Sequence, residues 1–371
     1  MGLNRERLIS TFFDIVKVDS ISKDEKALAL RLKAMLEEMG FETKIDDAHI
    51  KAGSNTGNLI AKISGNKNVP AIMLAAHLDT VNPGLNIKPQ IIDGVIRSDG
   101  TTILGADDKA GIASILEGVR SIIEKDISHG DIELVFTICE EIGLLGAKYL
   151  DHSMLKSKTA FVFDSSGDVG TVIVHGPAQK LINARIDGKA AHAGLSPEKG
   201  IDAIATAARA ISNMKLGRID KETTANVGII RGGHSTNIVC DLLSLEAEAR
   251  SLDPKKLDDQ VNHMIKCLED ACNAADAKLT IDVQDCYTGF SIDSSDPILK
   301  IAEAAMRRSN ITYTPKSTGG GSDTNILNKA GIKAVTLGVG MSNSHSTEEF
   351  ITVDNLEKAV LLVEGLIQEM K

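Results

Sequence analysis

Apolar positions along this chain alternate between two rhythms: stripes repeating every three to four residues, and short unbroken apolar runs. The alternation predicts helices and strands in turn, which is the α/β pattern. A first helix is predicted over residues 4–17. A second begins at a capping box, Ser22 with Glu25, and ends at Gly40. Its positions Leu28, Leu32, Met35, Leu36 and Met39 share one face. Residues 58–64 and 71–76 read as buried strands, and residues 90–97 as a hairpin turning at Asp93 and Gly94. Residues 110–124 form an amphipathic helix through Ile112, Ile115, Leu116, Val119 and Ile122. Residues 131–139 and 159–163 carry the nearly continuous apolar content of buried parallel strands.

The texture changes after about residue 177. Strands near 181–187, 225–231, 242–250 and 279–284, with helices near 200–214 and 254–275, give the order β-α-β-β-α-β. That is the split βαβ order of a ferredoxin-like module. From about residue 293 the earlier βα style resumes. The expected organisation is one α/β domain, residues 1–177 and 291–371, interrupted by a smaller α+β domain over residues 178–290.

Charge then narrows the function. Among 371 residues, 41 Lys and Arg face 51 Asp and Glu, for a net charge of −10. An acidic chain is a poor partner for nucleic acid or anionic membranes, so neither is expected. No apolar run reaches the ~18–20 residues of a membrane span. The first residues carry scattered charge and no apolar core of a signal peptide. Five cysteines, with no CxxC pair, do not make a disulfide framework and fit a reducing cytoplasm. Aromatic residues are 3% and Trp is absent, which leaves few stacking platforms for bases or sugars.

Candidate chemistry lies where strands should end. His77 and Asp79 follow the run AIMLAA, and in an extended segment residues two apart point to the same side. They suit either a metal site or a surface His beside an acid. Asp107 and Asp108 lie between a short strand and a helix, where two carboxylates are either ligands or N-caps. Gly105, Ala106 and Gly111 around them permit close backbone approach. Glu140 and Glu141 follow the strand ending in Cys139, which reads as a small buried hydrophobe. Adjacent Glu side chains point to opposite sides, so one could bind a metal while the other serves as a general base. Asp164 closes the strand TAFVF, and His345 lies far along the chain with Glu348 and Glu349 beyond it. Mixed His and carboxylate donors suit zinc, cobalt or manganese. More carboxylates than one tetrahedral ion can use point to two ions sharing a bridging carboxylate. No G-x-S-x-G elbow supports a serine nucleophile.

The ordered set HLDT (77–80), GADDKAG (105–111), EEIGLLGA (140–147), FD (163–164) and NSHSTEEF (343–350) resembles the M20 co-catalytic zinc exopeptidases. Within them it is most similar to the peptidase T subgroup of tripeptide aminopeptidases. The resemblance implies a zinc-exopeptidase α/β sandwich with an inserted ferredoxin-like lid and dimerisation domain. It implies two zinc ions per subunit, with Co2+ or Mn2+ as substitutes, and a homodimer formed through the inserted domain. His77 would bind one ion and His345 the other, Asp107 would bridge them, its bond to Asp108 being a cis peptide, and Glu141 and Asp164 would complete the two sets. Glu140 would be the general base, and Asp79 would hold the His77 ring in its ligating tautomer. In the inserted domain His192 would reach across the dimer to the oxyanion, Asn237 would approach substrate, and Arg250 would bind a substrate carboxylate or form a structural ion pair. Gly320, Gly321 and Ser322 would line the substrate pocket. The implied reaction is hydrolysis of short peptides. The same chemistry on a carboxypeptidase or N-acyl-amino-acid substrate, as in glutamate carboxypeptidase-like relatives, is the alternative.

Overall fold

The computed structural model describes residues 3–370, which divide into two compact units. One comprises Met1–Val174, Ile292–Ser317 and Ser322–Lys371; the other comprises His175–Ser291 with Thr318–Gly321. The first unit opens with α1 (Arg5–Val16), α2 (Lys26–Glu38), β1 (Glu42–Ile45), α3 (His49–Ala52), β2 (Leu59–Ile63) and β3 (Ile72–His77). It continues through β4 (Gln90–Ile92), β5 (Val95–Arg97), α4 (Ala106–Glu124), β6 (Ile132–Thr137), α5 (Leu145–Tyr149), β7 (Thr159–Ser165) and β8 (Thr171–Gly176). The second unit holds β9 (Ala178–Asp187), α6 (Ala203–Asn213), β10 (Gly217–Arg218), β11 (Thr223–Gly232), β12 (Leu242–Ser251), α7 (Pro254–Ala275), β13 (Lys278–Tyr287) and β14 (Phe290–Ser291). The chain then returns through α8 (Pro297–Arg308), β15 (Thr314–Ser317), α9 (Asp323–Lys329), β16 (Lys333–Gly338), β17 (Met341–Ser342), β18 (Phe350–Thr352) and α10 (Val353–Glu369).

The main sheet of the first unit runs β1-β2-β6-β3-β7-β16-β8, with β15 also pairing β8. Its centre is parallel: β3 pairs with β6 and β7, and β7 with β16. Every residue of β3 and β6 is buried, which explains their unbroken apolar runs. Met73 and Ala75 join Val135, Val162 and Ala334 in the core on one face of the sheet. By alternation Leu74 and Ala76 face the other way, where α4 lies against β3 and β7. The outer strands β1 and β2 are antiparallel, so the parallel character expected of the buried strands holds only at the centre.

Two details of the sequence reading change. Ser22 and Glu25 do not form a capping box: Glu25 sits at the N-cap of α2 and makes no capping bond. Both side chains are drawn instead to loops of the sheet, described below. The helix predicted from residue 110 follows a kinked turn at Asp107 and Asp108, close to the expected start, but its burial is not confined to one stripe. Ser114, Glu117, Gly118 and Ser121 are buried as well, because α1 and α10 cover the face turned away from the sheet. Glu117 is tolerated there because Arg7 of α1 meets both of its oxygens at 2.8 Å and also bonds Glu124. Membrane spans are not found: no helix among the described residues is long and apolar enough to cross a bilayer.

A second, four-stranded sheet, β17-β18-β5-β4, fixes the far end of the chain onto the hairpin turning at Asp93 and Gly94. In the second unit the sheet order β11-β12-β9-β13 is antiparallel, with β10 pairing only the start of β11. The helices α6 and α7 cover it through Ala203, Ala207, Leu257, Val261 and Met264. This is the ferredoxin-like arrangement.

The contact of α4 with α10 yields a stability test. A Cβ on Gly118 would lie 2.4 Å from Val363 Cγ1. Ala is the better helix former by about 1 kcal/mol, but forcing a methyl into this packing costs about 1–3 kcal/mol. Gly118→Ala is therefore expected to lower unfolding free energy in urea, against the helix-propensity trend.

Candidate metal centre

Three parallel strands end side by side, and each delivers an ionisable group at its carboxyl end. His77 closes β3, residues 139–141 follow β6, and Asp164 lies near the end of β7. Ligand sites of open α/β sheets lie in this place. Asp107 arrives from the start of α4. There Gly105 takes a left-handed φ of 73°, Asp107 and Asp108 depart from helical angles, and the Asp107-Asp108 peptide is cis. His345 arrives from the loop between β17 and β18, itself at a left-handed φ of 63°.

The side chains converge. His77 Nε2 lies 3.1 Å from Asp107 Oδ1 and 3.7 Å from Asp164 Oδ1. His345 Nε2 lies 3.4 Å from Asp107 Oδ2 and 2.9 Å from Glu141 Oε1. Asp107 thus turns one oxygen toward each histidine. Two donor sets result, His77–Asp107–Asp164 and Asp107–Glu141–His345, each with ligand atoms close enough to share an ion. One imidazole and two carboxylates per set, with a shared carboxylate, fit two divalent cations of the zinc, cobalt or manganese type. A further set, His77–Glu140–Glu141, shows Glu140 at the same point.

Electrostatics agree with a site made for cations. Burial, reinforced by the charge of Asp164, pushes Glu140 well above the ordinary carboxylate range. Burial likewise raises Asp164 to about 7, with Asp107 and Glu141 adding to it and His77 opposing. Hydrogen bonds to Asp107 and Glu141 lift His345 to about 10. Burial opposes protonation of His77, but Asp107, Asp164 and Asp79 together hold its pKa well above normal. For Asp107 burial is outweighed by the two histidines, and its pKa falls. These carboxylates repel one another in a place with little water, and a divalent cation relieves that repulsion.

The neighbours of the site hold backbone as much as side chains. His77 Nδ1 contacts the Asp79 backbone carbonyl at 2.8 Å, whereas the Asp79 carboxylate is 3.6 Å away. The peptide oxygen thus lies within hydrogen-bonding distance of Nδ1, with the carboxylate of the same residue beside it. The Asp79 carboxylate accepts from Glu140 N at 2.8 Å, Glu141 N at 3.2 Å and Ser22 Oγ at 2.7 Å. Asp108 is no N-cap: its Oδ2 accepts from His77 N at 3.1 Å. Gly111 is needed because a Cβ there would stand 2.4 Å from both Asp108 Oδ1 and Phe163 O. Cys139 is buried, as its apolar reading implied, but it also adopts φ 51° and bonds Glu25 through its N–H at 3.0 Å and its Sγ at 3.2 Å.

Sequence reasoning gave no role to Glu349. Its buried carboxylate accepts from Leu104 N, Gly105 N and Asp107 N at 2.7–2.9 Å, which fixes the turn presenting Asp107. Burial pushes it up to about 7. Asp323, next to the Gly320–Ser322 loop, is likewise buried and accepts from Thr137 Oγ1 at 2.5 Å. Glu349 lies inside the motif NSHSTEEF and Asp323 directly after Ser322, and that placement was the only signal available.

The second unit places its own expected residues. His192 is exposed, and its Nδ1 accepts from Gly194 N at 3.1 Å and Leu195 N at 3.2 Å. With Nδ1 used as an acceptor, Nε2 is the ring nitrogen left to donate. Asn237 lies alongside, since Ala193 N bonds its carbonyl at 3.0 Å and its side chain takes Ser235 Oγ at 2.6 Å. Arg250 forms a two-pronged ion pair with Glu248, 3.0 Å at each contact, so the structural pairing left open by the sequence is present. Gly320 is exposed, while Gly321 is required by packing, because a Cβ there would lie 2.2 Å from the Tyr287 ring. Ser322, in the first unit, is buried with its Oγ 2.9 Å from Thr336 Oγ1.

Residues 73–369 match the peptidase family M20/M25/M40, and the chain belongs to it. It is therefore an enzyme of the peptidase class. The aminopeptidase PepT of Bacillus cereus is 44% identical, with each chain 99% covered and a TM-score of 0.89. A tripeptidase of Staphylococcus aureus is 41% identical, again with 99% of each chain covered, at a TM-score of 0.93. Peptidase T of Escherichia coli is 27% identical over 96% of this chain and 97% of its own.

The shared oxygens of Asp107 define a measurement. Wild-type protein equilibrated with zinc and dialysed is expected to retain two equivalents by elemental analysis. His345→Ala should retain about one, and Asp107→Ala less than one, because only Asp107 serves both sets.

Proposed function

We propose that this protein is a dinuclear metallo-aminopeptidase that removes the N-terminal residue from short peptides, tripeptides above all. The observation that carries this reading is Asp107 set between His77 with Asp164 and His345 with Glu141, with the buried Glu140 at the same point. Relatives more than 40% identical over their whole length are an aminopeptidase and a tripeptidase, which supports the choice of substrate.

Two divalent ions held by His77, Asp107, Asp164, Glu141 and His345 would polarise the scissile carbonyl and make a water acidic enough to ionise near neutral pH. We assign zinc, with cobalt or manganese as substitutes. Glu140 accepts the proton of the attacking water and returns it to the leaving amine. Its buried position supports that role, since a carboxylate shielded from bulk water holds a proton between the two steps. Asp79 keeps Glu140 in place through the backbone bonds described above. His192 offers its Nε2–H to the developing oxyanion. Asn237 contacts substrate beside it, Arg250 receives a substrate carboxylate with Glu248 steadying its fork, and the loop of Gly320, Gly321 and Ser322 lines the pocket.

A homodimer through the second unit completes the proposal. Beyond Ala225 the outer edge of β11 has no strand partner among the described residues, and it exposes Ile229 and Ile230. An unpaired edge with apolar residues is suited to a second copy. Five free cysteines support residence in the cytoplasm.

Replacing Glu140 with Ala is expected to leave metal content unchanged while kcat for tri-alanine falls by about 10²–10⁴. Near-normal turnover in that variant would remove Glu140 from the role of base. Blocking the amino terminus of tri-alanine should abolish hydrolysis. Equal turnover of the blocked peptide, or preference for an N-acyl amino acid, would instead favour the carboxypeptidase or amidohydrolase alternative.

Subunit mixing tests the position of His192. Glu140→Ala and His192→Ala proteins should each be inactive, yet exchange of subunits should recover about a quarter of wild-type activity, one working site in half of the dimers. No recovery despite demonstrated exchange would place His192 in its own subunit's site.

A further inference from the structure

Beyond the end of β6 the backbone has left the sheet, yet four successive amides remain bonded. Ile138 N donates to Asn58 Oδ1 at 3.1 Å, Cys139 N to Glu25 Oε1 at 3.0 Å, Glu140 N to Asp79 Oδ1 at 2.8 Å, and Glu141 N to Asp79 Oδ2 at 3.2 Å. Each acceptor is a side chain at least sixty residues distant in the chain. Glu25 is wholly buried, and its Oε1 serves this region through Cys139. Its Oε1 also accepts from Lys23 N at 2.9 Å and from the Cys139 thiol, and its Oε2 accepts from Ser54 Oγ at 2.5 Å.

Cys139 stands at φ 51°, a left-handed conformation that an L-residue with a side chain adopts only when held there. Its carbonyl is held by Leu145 N at 3.0 Å, and the carbonyl of Glu140 by Gly143 N and Leu144 N. On the amide side Cys139 is held by Glu25. The direction of the chain leaving Cys139 decides where Glu140 and Glu141 point.

We propose that Glu25 is a positioning residue for hydrolysis: by fixing the left-handed turn at Cys139 it aims Glu140 and Glu141, though it touches neither substrate nor metal. The inference rests on the reading of Glu140 as the general base and Glu141 as a ligand. It concerns reach and hydrogen bonding, not charge. A glutamine at position 25 keeps an oxygen for Cys139 and presents an amide that Ser54 Oγ can accept. An aspartate keeps the charge but is one methylene too short.

The test compares Glu25→Gln, Glu25→Asp and Glu25→Ala in the full-length, zinc-loaded protein. Two readouts are taken: amide hydrogen exchange of residues 138–144, and steady-state hydrolysis of tri-alanine. In Glu25→Ala and Glu25→Asp, exchange across 139–141 is expected to quicken about tenfold or more. In the same variants kcat should fall about 10–100-fold, with KM within about twofold of wild type. Glu25→Gln should keep both near wild type. If the alanine variant does not fold, the ranking of glutamine above aspartate decides. Unchanged exchange in the aspartate variant, or equal loss of turnover in the glutamine and aspartate variants, overturns the proposal. A wild-type protein that hydrolyses no peptide would remove the functional reading alone, because the exchange measurement still decides the role of Glu25.

Discussion

A backbone amide that leaves a sheet must find another acceptor or be buried at a cost of about 1–3 kcal/mol. The architecture of this site follows from that requirement. Three parallel strands stop at one edge, and the segments beyond them must be both buried and irregular to present ligands. Buried carboxylates meet the need. Glu25 and Asp79 hold the segment after β6, and Glu349 holds the turn before Asp107. Asp46 holds Asn58, which in turn holds Ile138. The acids in this region therefore divide into those that face the centre and those that hold the loops on which the first group rides.

That division carries an electrostatic consequence. Every carboxylate that secures a loop adds negative charge near a centre already rich in it. Burial raises Glu349 and Asp323 as it raises Asp164 and Glu140. The site is built at the expense of like-charge repulsion, and the two histidines offset only part of it. Cations suit such a place chemically, and their binding couples the stability of the loops to the occupancy of the centre.

Much of this could be read from the sequence because strand ends are legible. Apolar runs closing on His77, Cys139 and Asp164 located the edge, and the motif around Asp107 and the distant His345 supplied the rest. The order of elements in the second unit was also legible, since α7 and its flanking strands keep clean periodicity. Capping residues misled, because Ser22 and Glu25 match a helix start locally while their side chains serve Asp79 and Cys139. The spacing of Asp79 from His77 was legible, whereas the Glu140 and Glu141 amides that its carboxylate also holds were not. Arg250 could not be resolved by pattern, since a fork that fits a substrate carboxylate fits Glu248 equally well.

By itself, the sequence determined which residue types are available and which fall at the ends of buried strands, because hydrophobic periodicity is a local property. It also carried the resemblance that names the family. Tertiary structure alone decided which acids face the centre and which hold backbone, because that choice depends on unpaired amides dozens of residues away. It alone set the left-handed turns at Cys139 and His345 and the division of the Asp107 oxygens between two histidines. Those features arise from contacts between segments distant in the chain, and no local pattern encodes them.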